Sequence, residues 1–424
     1  MSQFEPVNRN QLKIGMVTAC YKPVVNGVTR MVSMYRRQFE QSGHDITIFT
    51  LGKPDPAGDE PGVLRSPGIP LGESGYYLGF GYRQEMRRQL AEMDILHCHH
   101  LMMSLELAHR YGRSPIIYTN HTRYDLYTGA YTPLPQPTAD ALMRQIWPEL
   151  TDLCDVVIAP SASVAGVLEQ FGVRRPIRVV PNGIDMEPFR AAKGNITRED
   201  LGLPPDAWPV LIYTGRLAAE KNLDKLLDQF AVVQERLPLA KLLLVGDGPQ
   251  RASLEKHAAR AGLSKDVIFT GKVPFESVPC YLWLADIFVT LSRSEVHPLT
   301  VIEAMAAGLP TVALHSPGIA DTIESGKTGV LTRLPEGVAA AVVELASDPQ
   351  RLADMGRRAK AASQQYDIKR TVAQTLEIYQ EQLDQWHSEP GRNNDGQLKS
   401  PSRKLMEQVE QLAAILLPDR GQRE

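Results

Sequence analysis

Two carboxylates and two cations carry the most chemistry in this chain. The stretch LSRSEVHPLTVIEAMAAGLP, residues 291–310, places Glu295 and Glu303 eight positions apart. The small and apolar residues from Leu299 onward read as a helix, so Glu295 precedes its start and Glu303 lies inside its first turns. The exposed N–H groups and positive end of such a helix, around Leu299 and Thr300, can receive a phosphate. Glu303 can then accept a ribose hydroxyl hydrogen bond and Glu295 can meet a sugar, with the two acids to either side of the phosphate they would repel. The plain alternatives are a turn acid at 295 and a first-turn helix charge at 303.

Upstream, TGRLAAEKN supplies Gly215, Arg216, Lys221 and Asn222 after an apolar strand-like run. A forked guanidinium and a mobile ammonium can offset the charge that grows on a departing diphosphate. Alone, the two cations read more readily as a solvated pair. VGDGP, with Gly246 and Gly248, and FTGKVP, with Val273, are further loops after apolar runs. A lone GxG is weak evidence, but loops after successive strands share the edge where α/β domains bind ligands.

The elements that must position these residues alternate along the whole chain. IGMVTA, ITIFT, DILHCH, PIIYTNH, DVVIAPS and IRVVPNG read as strands, with helix-like stretches such as TRMVSMYRRQFEQSGH and LMMSLELAHRYG between them. After the turn-rich DMEPFRAAKGNITREDLGLPPDAWP, the rhythm resumes with VLIYTG, KLLLVGDG, VIFTG, DIFVTL and TVAL. This predicts two α/β domains with parallel sheets. The expected boundaries are 1–185 and 186–365, then a crossover helix over 366–384, and a polar linker with an amphipathic helix over 385–424. That last helix, capped by Ser402 and stopped by Pro418, can dock on the body, a membrane or another subunit.

The 424 residues suffice for two sizeable cores, and the formal net charge of −3 argues against a dedicated nucleic-acid binder. Cys20, Cys98, Cys154 and Cys280 are widely spaced, with no metal-ligand pattern, which fits a reducing cytoplasm. MSQFEPVNRNQLK has no signal-peptide apolar region, and no apolar run approaches the roughly 20 residues that span a bilayer. Peripheral attachment at the cytoplasmic membrane face stays open.

Taken together, PVVNGV, APS, VVPNGID, YTGRLAAEKN, LLLVGDGP, FTGKVP and SEVHPLTVIEAMAAGLP resemble the retaining nucleotide-sugar glycosyltransferases of family 4 over almost all of residues 12–383. The resemblance implies the GT-B fold, two facing Rossmann-like domains. It implies that Glu295 contacts hydroxyls of the donor sugar, Glu303 holds the ribose, and Arg216 and Lys221 contact the diphosphate. Leu299 and Thr300 would bind phosphate through their backbone, Val273 would meet the base, and Gly27 would approach the distal phosphate or sugar. In Asn26-Gly27-Val28 an asparagine replaces a frequent first glycine, and asparagine can still support an unusual backbone conformation. No metal is implied, no DxD-type site is evident, and the expected donor substrate is a UDP-sugar rather than a bound cofactor.

YTNHTRYDLYTGAYTPLP, residues 118–135, sets His121 among Arg123, Tyr124, Asp125, Tyr127 and Tyr131, groups able to hold and orient an acceptor. By resemblance His121 contacts the transferred sugar. NGV, HTRYDLY and SEVHPLTVIEAMAAG are similar to the branch that glucosylates diacylglycerol, while TNHT and His297-Pro298 depart from many relatives. A lipid acceptor needs a membrane surface, and Tyr76, Tyr77, Phe80, Tyr82, Arg83, Arg87 and Arg88, with Arg30, Met34, Tyr35, Arg36 and Arg37, can supply an aromatic and basic face for anionic lipid. The expected activity is glucose transfer from UDP-glucose to a lipid hydroxyl with retention. A soluble or polyisoprenoid-linked acceptor, nucleotide-sugar epimerisation, and binding without catalysis are the alternatives. Oligomeric state stays open.

Overall fold

The computed structural model describes residues 11–70, 76–79, 81–123, 136–190 and 196–388. The chain divides into two compact units: the first runs to Pro181 and resumes at Ile368, and the second is Asn182–Asp367. Tyr124, Asp125, Tyr127, Tyr131, Phe80 and the expected helix after Ser402 lie outside the described residues.

The first unit is built on strands β1 (Lys13–Val17), β2 (Asp45–Leu51), β3 (Val63–Ser66), β6 (Ile95–Cys98), β7 (Ile116–Thr119), β8 (Val156–Ala159) and β9 (Ile177–Val179). A small hairpin, β4 (Ile69–Pro70) with β5 (Tyr77–Leu78), stands apart from this sheet. The seven strands are parallel, in the order β3-β2-β1-β6-β7-β8-β9. Central strands such as IIYT and VVIA are buried along their whole length, as helices on both faces of a parallel sheet require. Those helices are α1 (Gly27–Gln41), α2 (Gln84–Ala91), α3 (Leu105–Tyr111), α4 (Gln136–Thr151) and α5 (Ala162–Gln170).

The second unit opens with the single turn α6 (Glu187–Arg190). Strands β10 (Val210–Thr214), β11 (Lys241–Val245), β12 (Val267–Gly271), β13 (Ile287–Thr290), β14 (Thr311–Leu314) and β15 (Gly329–Thr332) follow. They form a parallel sheet in the order β12-β11-β10-β13-β14-β15. Helices α7 (Leu223–Arg236), α8 (Arg251–Arg260), α9 (Val278–Leu282), α10 (Leu299–Ala307), α11 (Pro317–Ala320), α12 (Gly337–Ala346) and α13 (Pro349–Ser363) alternate with them. Leu226, Leu227 and Phe230 of α7 share one buried cluster with Leu242 and Leu244 of β11 and Val289 of β13. Each such fully buried side chain is worth about 1.5–3 kcal/mol of transfer free energy.

Helix α14 (Ile368–Ser388) returns the chain to the first unit. Its buried stripe, Ile368, Thr371, Val372, Thr375, Ile378, Tyr379 and Leu383, has helical periodicity. Tyr379 stacks on Phe39 of α1 with ring centroids 5.6 Å apart.

Burial corrects part of the proposed aromatic and basic face. Tyr35 and Tyr82 are each 1% exposed, so they belong to the core rather than to a lipid-contacting surface. Arg36 is paired with Glu40 and Glu60. Arg37, Arg83, Arg87 and Arg88 are exposed, and Tyr76 and Tyr77 are partly buried. No helix among the described residues is long and apolar enough to cross a membrane. All four cysteines are free thiols.

Candidate active site

In each sheet the strand order reverses once, and that reversal opens a crevice beyond the strands' carboxyl ends. The reversal lies between β10 and β13 in the second unit, and between β1 and β6 in the first. The residues singled out from the sequence collect at these two edges.

At the second unit's edge, glycines let three strand ends approach. Gly215 and Gly246 have φ of +143° and +140°, and a Cβ on Gly246 would stand 1.9 Å from the Gly215 carbonyl oxygen. Gly215 N–H donates to Val245 O at 2.9 Å, and Gly246 N–H to Gly271 O at 3.0 Å. The chain then exposes Arg216 and makes a tight turn over Ala219–Lys221. Asn222, left-handed with φ +52°, donates through Nδ2 to Leu291 O at 3.0 Å, joining this turn to the end of β13.

Across the same reversal Lys221 Nζ lies 2.6 Å from Glu295 Oε1, with side-chain exposures of 17% and 20%. Burial raises the Glu295 carboxyl, but the Lys221 charge and its hydrogen bond outweigh it, leaving it below the usual carboxylate range. Glu295 is therefore an anion at neutral pH. Glu303, 1% exposed, is not a solvated helix acid. Helix α10 begins at Leu299, and its N-cap is Pro298, which makes no side-chain capping hydrogen bond. Leu299 is buried, while Thr300, and Val273 after β12, are partly buried.

Two residues with no individual signal in the sequence hold the turn before α10. Asn182 Nδ2 donates to His297 O at 3.0 Å. Gly318 comes so close that a Cβ there would stand 2.3 Å from Val296 O and 2.4 Å from Glu295 O. The His297 ring packs edge-on against Tyr366 at 5.0 Å, and burial pushes its imidazole down to about 4 despite the opposing pull of Asp321. It is neutral at pH 7.

At the first unit's edge, Asn26 caps α1. Its side chain accepts from Thr29 N–H at 2.9 Å, and its own N–H donates to Thr29 Oγ1 at 3.0 Å. Its φ of −149° and ψ of 178° are ordinary extended backbone, so the unusual conformation that asparagine could support is not adopted, and the residue serves as a cap. Gly27 is exposed, has no positive φ, and, its chain neighbours and own helix backbone aside, no heavy atom of the described residues lies within 4 Å of where its Cβ would be. Neither conformation nor internal packing accounts for glycine at this position.

His121, partly buried after β7, belongs to a histidine cluster. Its Nε2 is 3.1 Å from His99 Nδ1, and the two rings stack with centroids 5.3 Å apart. His99 in turn packs on His97 at 4.2 Å. His97 Nδ1 bonds the Tyr379 hydroxyl and its Nε2 the Thr119 hydroxyl, both at 2.6 Å. Across the reversal, Ala19 N–H donates to His100 Nδ1 at 3.1 Å, so His100 carries its hydrogen on Nε2, 3.4 Å from the Tyr76 hydroxyl. Burial drives all four imidazoles down: His97 to about 3, His100 to about 4, and His99 and His121 well below the usual range, where neighbouring imidazoles add to the effect. The run HCHH at the end of β6 was the available signal. The described residues contain no group of three or more His, Cys, Asp or Glu side chains able to hold a metal ion.

Two α/β units, each with a parallel sheet, are consistent with the GT-B fold of glycosyltransferases. Residues 25–188 match the model described as Glycosyltransferase Family 4, and residues 197–362 match Glycosyl transferases group 1. The chain is 26% identical over 391 residues to alpha-monoglucosyldiacylglycerol synthase of Acholeplasma laidlawii, covering 88% of this chain and 98% of that one. It is 30% identical over 319 residues to D-inositol 3-phosphate glycosyltransferase 2 of Catenulispora acidiphila, covering 71% and 74%. Anabaena Alr3699/HepE, solved in complex with UDP and glucose, superposes with a TM-score of 0.70 at 22% identity, over 87% of this chain and 100% of that one. The chain belongs to the family 4 glycosyltransferases.

Proposed function

We propose that this enzyme transfers a hexose, glucose from UDP-glucose, to a lipid hydroxyl such as that of diacylglycerol, with retention of the α configuration. The second unit binds the donor and the first binds the acceptor, at the cytoplasmic face of a membrane. The observation that carries this reading is the Lys221–Glu295 pair, 2.6 Å long, at the strand reversal beside the start of α10. It brings a cation for diphosphate and an anion for sugar hydroxyls onto one edge. The synthases of Acholeplasma laidlawii and Streptococcus pneumoniae, 26% and 28% identical, support the lipid acceptor. The Anabaena complexes with UDP and UDP-glucose support the nucleotide.

Arg216, Lys221 and the N–H groups of Leu299 and Thr300 stabilise the departing diphosphate, Val273 meets the base, and Glu303 holds the ribose. Glu295, His121 and Gly27 act on the transferred sugar and its distal phosphate. The acceptor oxygen attacks the anomeric carbon on the face that UDP leaves. As the C1–O bond breaks, its electron pair goes to the diphosphate, and a leaving phosphate oxygen takes the acceptor's proton. Glu295 orients the sugar and forms no covalent bond to it.

A soluble acceptor is the second reading, favoured by the 30% and 31% identity to D-inositol 3-phosphate glycosyltransferases. A panel of nucleotide sugars against lipid vesicles and aqueous sugars, with product linkage determined, separates the two. Label from UDP-glucose in an α-linked glycolipid is the expected result. Label confined to aqueous products would establish the second reading, and altered donor without acceptor would make the enzyme an epimerase.

A further inference from the structure

His99 makes no use of half of its hydrogen-bonding capacity. It is 1% exposed, and its ring is packed by His97, His121 and Tyr35 with centroids 4.2, 5.3 and 5.9 Å away. Its Nδ1 is 3.1 Å from His121 Nε2, while its Nε2 is buried with no hydrogen-bond partner among the described residues. His97 cannot supply one, because both of its ring nitrogens are engaged by Tyr379 and Thr119. Burial keeps both His99 and His121 uncharged at neutral pH.

A neutral imidazole has one donor and one acceptor nitrogen. With hydrogen on Nε2, His99 would bury an orphaned N–H. With hydrogen on Nδ1, it leaves only an unused acceptor lone pair. Orphaned buried N–H groups are the rarer defect. The second arrangement therefore wins, and it settles the partner as well: Nε2 of His121 accepts, so the hydrogen of His121 is on Nδ1.

We propose that His99 is a positioning residue for sugar transfer, which fixes the His121 ring through an Nδ1–H to Nε2 hydrogen bond and holds His121 as an Nδ1–H donor. This rests on the reading that His121 acts on the transferred sugar. It makes His121 a group that donates to an oxygen of that sugar or of its phosphate, not one that removes a proton through Nδ1.

The tautomer can be read without any transfer assay. Protein labelled with 15N-histidine gives long-range 15N–1H correlations that separate the two neutral forms, with the His121 signals assigned by their loss in His121→Gln. At pH 7 the expected His121 pattern is that of the Nδ1–H form. An Nε2–H pattern, or a charged ring, overturns the proposal even if the substrate proves different. In kinetics, His99→Leu should lower kcat about tenfold or more with KM for UDP-glucose within about twofold, and His99→Asn, whose amide can donate from near the same place, should restore most of it. A folded His99→Leu with wild-type kcat, or a loss that His99→Asn leaves unrepaired in a folded protein, would also overturn it. Wild-type protein with the expected spectrum and no transfer would refute the function and leave the His99–His121 geometry standing.

Discussion

Lys221 Nζ and Glu295 Oε1 stand 2.6 Å apart, tying the turn after β10 to the turn before α10 where the strand order of the second sheet reverses. An ammonium has three donors, so Lys221 can hold Glu295 and a phosphate oxygen together. The pair thus ties both loops together and keeps Glu295 ionised, as the proposed contact with sugar hydroxyls requires. Preformed polar groups of this kind lose little in reorganisation when charge develops on the leaving diphosphate.

Glu295→Ala should lower transfer by about 10²- to 10³-fold while the protein stays folded, and Arg216→Ala should lower the rate at saturating donor. Steady-state kinetics with UDP-glucose checks both. Wild-type transfer by Glu295→Ala removes that residue from the essential set, and a pure KM effect in Arg216→Ala reduces its role to binding.

The same pair has a stability signature. The Glu295 carboxyl is held below its ordinary value, so its contribution is fully present above an unfolded pKa of about 4.3 and is lost as pH falls through the folded value. Glu295→Gln should therefore be less stable than wild type at pH 7, by about 1–3 kcal/mol, with the gap closing in acid below about pH 4. Urea melts across pH measure this directly.

The histidine cluster sets a higher and wider window. Buried and neutral in the fold, these imidazoles take up protons on unfolding once pH drops below about 6.5. Their contribution is complete above that pH and falls away towards the folded values, about 4 for His100 and about 3 for His97. Each histidine should add a slope of up to about 1.4 kcal/mol per pH unit between these limits. Wild-type stability should drop steeply from pH 7 to 5, and His97→Gln should show a shallower drop.

Two glycines should respond oppositely. Gly246→Ala puts a Cβ 1.9 Å from the Gly215 carbonyl oxygen at a φ of +140°, and should cost about 3 kcal/mol or more. Gly27→Ala meets open space at a helix start, so stability should stay level or rise by up to about 1 kcal/mol while transfer falls about tenfold or more. Thermal melts beside transfer rates check the contrast. Unimpaired transfer by Gly27→Ala would leave that glycine without a ligand role.

The second unit's strand-end segments were legible because Arg216, Lys221 and Glu295 lie in the stretches that follow strands, and Glu303 in the helix after the last of them, among recognisable neighbours. What stayed hidden depends on long-range packing. Asn182 reaches His297 across 115 positions, and Tyr379 meets His97 across 282. Periodicity marked Tyr35 and Tyr82 as amphipathic-face aromatics, but only the packed sheet decides which face is inside, and both are core. Asn26 was conspicuous for replacing a glycine, yet its task is a cap whose partner Thr29 lies three residues on.

The most direct test of the donor site is a crystal structure with UDP. The diphosphate should contact Arg216, Lys221 and the N–H groups of Leu299 and Thr300, with the ribose on Glu303 and the uracil beside Val273. Nucleotide seated elsewhere, or density at this edge without those contacts, would contradict the account.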